Sequence, residues 1–167
     1  VFFRLLYSSG MRTTEAILLE RDDVNLENGV VSIKRGKGYD QHYAVLHDTM
    51  LDLMRTYDGR MDELVPNRRV FFPTPDDKPH PPAWVTYHFR VLWQSCNSSH
   101  AIPYELRHNY AIENINSWTH QGFAVHDKLL ALSKSMGHRQ IGSTLAYYSL
   151  TPAISDIMAC TDNEINQ

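Results

Sequence analysis

Residues 22–46 read DDVNLENGVVSIKRGKGYDQHYAVL, and this stretch has the clearest two-residue alternation in the sequence. Polar and apolar residues alternate over 22–26, and Asn28-Gly29 is a typical hairpin turn. The segments 30–33 and 43–46 contain the β-branched and aromatic residues that strands favour. Together they predict a small antiparallel sheet of three strands. Because the flanking sequence has helical spacing instead, we expect an α+β fold, mostly helical with one three-stranded antiparallel sheet.

Seven segments outside the sheet have the apolar spacing of helices. They cover residues 1–7, 12–19, 48–57, 83–96, 104–118, 127–135 and 141–148. We expect Asp48 to cap the third of them, and Gly10 and Gly137 to end the first and the sixth. The six prolines in residues 59–82 predict a loop, within which only Val70-Phe71-Phe72 has the pattern of a buried strand or plug.

The composition is that of an ordinary globular domain. The chain has 167 residues, of which 43% are hydrophobic, and this excludes a disordered tail. Its two cysteines are too few for a disulfide scaffold and suit a reducing compartment. No apolar run approaches the roughly 20 residues that span a bilayer, so we expect no membrane association. The chain is apolar from Val1 onward, so we expect it to begin within a helix of a longer protein.

The net charge of −3 argues at first against a nucleic-acid binder, which usually has a basic surface. Three acids and no Lys or Arg fall within residues 152–167, so residues 1–151 are neutral overall. Positive charges cluster at residues 34–37 and 128–139. Because affinity for DNA follows the phosphates that are contacted and not the total charge, DNA binding is compatible with this sequence. We expect it to be weak and strongly salt-dependent for this chain alone.

Three cationic side chains, one histidine and one tyrosine are candidates for chemistry. Arg12 opens a helix after a Ser-Ser-Gly turn, Lys37 lies between two glycines, and Arg107 lies within a predicted helix. His138 directly follows a glycine, and Tyr147 comes nine residues later. Each has an ordinary alternative when taken alone: an ion-paired helix residue, a solvated turn, a helix cap or a core aromatic. The sequence has no metal-binding spacing, phosphate-binding glycine loop or nucleophilic serine motif.

In order and in local context, these positions resemble the tyrosine recombinase, or phage integrase, family. The matching boxes are Ser8-Ser9-Gly10-Met11-Arg12-Thr13-Thr14-Glu15-Ala16, Gly36-Lys37-Gly38, Leu106-Arg107-His108, and Met136-Gly137-His138 followed by Tyr147. The resemblance implies that residues 1–151 form the catalytic domain of that family. It also implies a DNA-clamping core-binding domain ahead of residue 1. For the tail, residues 152–167, docking on a neighbouring protomer and packing on its own domain both stay open.

The resemblance assigns a role to each candidate. Arg12, Arg107 and His138 hold the non-bridging oxygens of a DNA phosphate, whose extra negative charge during in-line attack suits guanidinium groups. Lys37 is the general acid for the leaving 5′-oxygen, and Tyr147 is the nucleophile that forms a 3′-phosphotyrosyl link. No cofactor and no metal are implied. The nine-residue interval after the histidine selects Tyr147, with Tyr148 as the alternative nucleophile.

The sequence departs from the family pattern at the second arginine box. Tyr104 stands where a histidine is usual, three residues before the arginine, and we expect it to contact the phosphate or to support the site. Glu15 is a second candidate supporting or phosphate-contacting residue. Candidate DNA-binding residues are Lys34, Arg35 and Arg139. The further basic residues that commonly follow the hairpin lysine are missing here.

The sequence therefore predicts a site-specific DNA recombinase or integrase. Two alternatives stay open: a catalytically impaired DNA-binding module with the same fold, and a topoisomerase-IB-like or resolvase enzyme with the same chemistry. The expected partners are double-stranded DNA with a specific recombination site and further copies of the protein, tetrameric on DNA and monomeric when free. The expected location is the cytoplasm of a prokaryotic cell, with the nucleoid when the protein is bound to DNA.

Overall fold

The computed structural model describes residues 1–34, 41–118, 125–138 and 140–148, without the side chains of residues 125, 126 and 148. The helices are α1 (Phe2–Ser9), α2 (Thr13–Ile17), α3 (Asp48–Leu64), α4 (Pro82–Cys96), α5 (Glu105–Asn116), α6 (Val125–Ser135) and α7 (Gly142–Tyr148), and the strands are β1 (Val24–Asn25), β2 (Val30–Ile33) and β3 (His42–Val45). This part of the chain is mostly helical with a three-stranded antiparallel sheet, so the predicted fold class is confirmed.

The sheet has the strand order β1-β2-β3, and both neighbouring pairs are antiparallel. In the second pair, Val31 lies opposite Ala44 and Ile33 opposite His42. All four side chains are buried, so the two-residue alternation sends them to the same face. The sheet therefore presents one histidine to the interior. The hairpin tip over residues 35–40, with Arg35 and Lys37, lies outside the described residues.

Buried apolar side chains form two clusters. The first joins α1, α2, the sheet and α3, and includes Leu5, Leu6, Ala16, Val31, Met50, Met54 and Phe71. The second joins α5, α6 and α7, and includes Ala111, Ile115, Leu129, Leu132, Met136 and Tyr147. Helix α1 packs on α5 and thereby brings the clusters together. Within the described ranges, none of the helices combines the length and the apolar character that crossing a bilayer requires.

Helix α3 is longer than the sequence predicts. The prediction ends the helix at Tyr57, because a glycine and several prolines follow, but the helix continues through Asp58 and Asp62. These two carboxylates lie one turn apart and bind two arginines from other segments. Arg21 Nη2 lies 3.2 and 2.6 Å from them, and the fully buried Arg68 pairs with both. The predicted boundary was wrong because these tertiary ion pairs stabilise the extra turns.

The expected cap of α3 was also wrong. The N-cap is His47, not Asp48, which is the first helical residue. The imidazole Nδ1 of His47 accepts a hydrogen bond from the backbone N–H of Thr49 at 3.3 Å. A ring nitrogen thus takes the place of the carboxylate that N-caps favour.

The predicted plug Val70-Phe71-Phe72 is buried, as expected. Its backbone is tied to the segment after α2, because Phe71 N–H donates to the carbonyl of Leu19 at 2.8 Å and Glu20 forms an isolated bridge with Val70. This extended pairing explains why α2 ends at Ile17 and not at the predicted Leu19. The first helix ends at Gly10, as predicted, with φ of 64°.

Candidate active site

Arg107 lies at the centre of the candidate site. Its side chain leaves the first turn of α5 and is almost completely buried. Nη1 donates to the carbonyl of Gly10 at 2.5 Å, and Nη2 donates to the carbonyl of Met136 at 2.7 Å. Burial lowers the pKa of Arg107, and the neighbouring Arg12 lowers it further. One guanidinium therefore joins the α1–α2 turn to the end of α6.

Arg12 approaches the same loop from the start of α2. Its backbone N–H and its Nη1 donate to the two carboxylate oxygens of Glu15, at 2.7 and 2.6 Å. Its Nη2 donates to the carbonyl of Gly137 at 3.1 Å. Glu15 is buried and orients the guanidinium. Arg12 and Arg107 thus donate to the carbonyls of consecutive residues, Gly137 and Met136.

His138 follows these two carbonyls, and both of its ring nitrogens have partners. Nε2 lies 2.9 Å from Nη2 of Arg107, and Nδ1 lies 2.7 Å from Oγ1 of Thr144. Because a guanidinium only donates, Nε2 must be the acceptor and the imidazole is neutral. Burial, followed by the charges of Arg107 and Arg12, lowers the pKa of His138 to about 4. In this state Nε2 does not donate, unlike in the role that the family resemblance implies.

Tyr147 lies on α7 and is buried beside these groups. Its ring is nearly parallel to that of His138, with centroids 6.3 Å apart, and it contacts the ring of His108 at 5.3 Å. Burial raises the pKa of Tyr147, Tyr104 raises it further, and Arg107 lowers it. The phenol therefore lies within the electrostatic reach of Arg107. The side chain of the alternative nucleophile, Tyr148, lies outside what is described.

The other predicted residues are distributed as follows. Tyr104 precedes α5, is 42% exposed, and packs its ring against His108 with centroids 4.7 Å apart. Lys34 is exposed at the end of β2 and forms an ion pair with Asp23, whose hydrogen bond raises the pKa of Lys34. Arg35, Lys37 and Arg139 lie outside the described residues. The structure therefore brings together Arg12, Glu15, Tyr104, Arg107, His138 and Tyr147.

Two residues at the site were not among the predicted candidates, Thr144 and His42. The buried His42 lies on the inward face of β3, with Nε2 3.9 Å from Oε2 of Glu15. Strict alternation with Ala44 could have predicted that His42 points inward, but not which carboxylate it meets. Beside it, a cavity of about 450 Å³ is lined by residues of β3 and α6. Among the described residues, no group of three or more His, Cys, Asp or Glu side chains could hold a metal ion.

Gly137→Ala should strongly destabilise this loop. Gly137 has φ of +63°, and an added Cβ would overlap the imidazole of His42. We expect a loss of at least about 2 kcal/mol in the free energy of unfolding, from left-handed strain and steric overlap together. Urea unfolding of the variant measures this loss. Gly142→Ala is the matched control, since an added Cβ there meets nothing within 4 Å; equal unfolding midpoints for the two variants would contradict the prediction.

The neutral state of His138 predicts a pH-dependent stability. The ordinary pKa of 6.5 applies in the unfolded chain, whereas the folded value is about 4. Between these pH values His138 binds a proton only in the unfolded chain, which favours unfolding. The stability that the neutral imidazole contributes is therefore complete above pH 6.5 and is lost as the pH falls toward 4. Urea unfolding at pH 7 and at pH 5 measures this loss. Between the two pH values, the free energy of unfolding should fall less for His138→Gln than for wild type. His100→Gln, at an exposed histidine, should behave like wild type; a matching loss in His138→Gln would contradict the assignment.

Comparison with known proteins agrees with this geometry. The phage integrase family model matches residues 1–153. The tyrosine recombinase XerD of Staphylococcus haemolyticus is 28% identical over 147 residues, which cover 86% of this chain and 47% of that protein. The chain spans about half the length of the curated relatives that it matches.

Two solved structures have the same fold. The crystal structure of XerA recombinase has a TM-score of 0.75 and 17% identity, and the match covers 94% of this chain and 55% of that one. The XerH site-specific recombinase, in a post-cleavage complex with palindromic difH substrate, has a TM-score of 0.72 and 20% identity, over 95% of this chain and 44% of that one. The predicted tyrosine recombinase catalytic fold is therefore confirmed. With the family model matching almost the whole sequence, the chain belongs to the phage integrase family.

Proposed function

We propose that this chain is the catalytic part of a site-specific DNA recombinase, which cleaves and rejoins strands through a 3′-phosphotyrosyl intermediate. The observation that carries the proposal is the convergence of Arg12 and Arg107 on the carbonyls of Gly137 and Met136, next to His138. Two like charges are held here against their mutual repulsion. Such an arrangement suits an anion whose charge grows during the reaction.

The two arginines differ in the role that we propose for them. Nε of Arg107 is buried and makes no hydrogen bond within the part of the chain that the structure describes. Buried donors are rarely left without an acceptor, so a phosphate oxygen is a fitting partner for this one. Arg12 is oriented by Glu15 and would supply the second guanidinium to the same phosphate. Together they would stabilise the pentavalent transition state without a metal ion.

Tyr147 is the nucleophile in this proposal. Its attack on phosphorus forms a phosphotyrosyl bond and breaks the bond to the 5′-oxygen, which needs a proton. We assign that proton to Lys37, the hairpin residue selected from the sequence. The phenol proton also needs an acceptor. When Arg107 turns from His138 to a phosphate oxygen, the Nε2 lone pair of His138 becomes available for this role.

The partners follow from the same proposal. We infer that the substrate is double-stranded DNA with a specific site, as difH is for the XerH recombinase, and that copies of the protein assemble as tetramers on it. Residues 1–151 would form the catalytic domain, with a DNA-clamping domain ahead of them. Residues 152–167 would dock on a neighbouring protomer. The reaction would take place in the cytoplasm, at the DNA.

A covalent-trapping experiment tests this function. The full-length protein that carries this chain is incubated with a pool of labelled, nicked duplexes of random sequence, and adducts are isolated under denaturing conditions. We expect covalent complexes enriched in one DNA sequence. Mass spectrometry should show the nucleotide attached to Tyr147. DNA binding without any adduct would favour the impaired DNA-binding module. If the protein forms adducts and, in a separate assay, relaxes supercoiled plasmid but never joins a second strand, the topoisomerase-like alternative is favoured.

A further inference from the structure

The further inference concerns Thr144, a residue with no assigned role. Thr144 lies on α7, one helical turn before Tyr147, and is completely buried. Its hydroxyl oxygen lies 2.7 Å from Nδ1 of His138. Its backbone N–H donates to the carbonyl of Ile141 at 2.8 Å, which anchors the start of the helix. The hydroxyl is therefore held against the imidazole by both burial and backbone.

The direction of this hydrogen bond follows from the opposite side of the ring. If Thr144 donated to Nδ1, the proton of the neutral imidazole would sit on Nε2. That proton would then face Nη2 of Arg107, another donor, at 2.9 Å. Two donors at this separation repel each other, and neither would be satisfied. Hence Nδ1 carries the proton, and the hydroxyl oxygen of Thr144 accepts the hydrogen bond from Nδ1–H.

We propose that Thr144 is a positioning residue, which sets the tautomer of His138 so that the Nε2 lone pair faces Arg107. The catalytic part of this inference rests on the proposed function, whereas the tautomer does not. A histidine ring is oriented by the partner of its other nitrogen, and loss of that partner frees both the tautomer and the ring.

One consequence is a link between the nucleophile and the histidine. Thr144 and Tyr147 belong to the same short helix, so any displacement of Tyr147 by movement of α7 also withdraws the acceptor from Nδ1. His138 is then free to exchange tautomers, and Arg107 loses an acceptor. The groups that face the imidazole are Arg107, Arg12, His42 and Tyr147. The basic groups Arg107, Arg12 and His42 all disfavour the imidazolium form. We therefore expect His138 to change its tautomer and to stay neutral.

Nitrogen NMR of the histidine side chains tests the tautomer without DNA. The His138 signals are assigned from their disappearance in His138→Gln. We expect a protonated Nδ1 and an unprotonated Nε2 in wild type and in Thr144→Ser, which keeps the hydroxyl. Thr144→Val has the same shape without the hydroxyl and should shift the population toward the Nε2-protonated form. A wild-type spectrum with the proton on Nε2 would overturn the inference by itself, even if the valine variant failed to fold.

Single-turnover cleavage of the nicked duplex pool tests the catalytic part. Thr144→Val should form the covalent adduct about 10- to 100-fold more slowly than wild type, with DNA binding unchanged, and Thr144→Ser should restore most of the rate. Equal rates for wild type and Thr144→Val would overturn the positioning role while leaving the proposed function intact. If wild type forms no adduct but the tautomer is as expected, the proposed function fails, and the structural assignment of Thr144 stands.

Discussion

Tyr147→Phe is expected to abolish the covalent DNA adduct and to leave DNA binding unchanged. The substitution removes the phenol oxygen that is the nucleophile in our proposal and keeps the ring that packs against His108 and His138. Because the side chain is 7% exposed and lies in the cluster of α5, α6 and α7, its ring supports the fold. The loss of one hydroxyl should change stability by only about 1 kcal/mol. Denaturing gel electrophoresis after incubation with the nicked duplexes measures the adduct.

The control for this experiment is Tyr148→Phe. Tyr148 follows Tyr147 directly in the sequence and is the alternative nucleophile. We expect Tyr148→Phe to form the adduct at close to the wild-type rate. An adduct that persists in Tyr147→Phe and disappears in Tyr148→Phe would move the nucleophile by one residue. An adduct at the wild-type rate in both variants would show that neither tyrosine alone is required as the nucleophile.

Arg107→Lys should have the second-largest effect, at least about a 100-fold loss in cleavage rate. Lysine keeps the positive charge but carries a single ammonium group, which cannot reach the acceptors that the planar guanidinium joins. The carbonyls of Gly10 and Met136 would compete for it, and one buried oxygen would lose its donor. We therefore also expect a loss of about 1–3 kcal/mol in the free energy of unfolding. Single-turnover cleavage and urea unfolding measure the two effects separately.

The matched control is Arg55→Lys on α3. Arg55 also donates to a backbone carbonyl, that of Leu26 at 2.9 Å, but its side chain is exposed. Water can replace the lost hydrogen bond there, so stability and cleavage should stay close to wild type. Cleavage by Arg107→Lys is measured at a temperature where unfolding curves show it to be folded. A rate within a factor of a few of wild type under those conditions would contradict a direct role of Arg107.

Much of the fold could be predicted because its signals are local. Alternation over residues 22–46 indicated the sheet, and Gly10, with its left-handed backbone, marked the end of α1. The end of α3 could not be predicted in this way, since Asp58 and Asp62 are stabilised by Arg21 and Arg68 from other segments. A local pattern carries no information about such distant ion pairs.

The candidate site likewise contains residues that could be predicted from the sequence and residues that could not. Arg12, Arg107, His138 and Tyr147 could be selected because their order matches a known set of boxes. His42 and Thr144 could not, because their importance lies in what they contact: one faces Glu15 across the inner side of the sheet, and the other accepts from an imidazole. Nothing in the spacing of a threonine distinguishes it from an ordinary helix residue.

The two carbonyl contacts of Arg107 also bear on when the candidate site forms during synthesis of the chain. They join residues 97 and 29 positions away in the chain. Contacts between distant residues form late, because the intervening loops must be ordered first. A nascent chain leaving the ribosome would carry Arg12 long before α6 and α7 emerge. The candidate site could therefore assemble only after α6 and α7 had been synthesised, and a chain that ended before them would lack the contact with Met136.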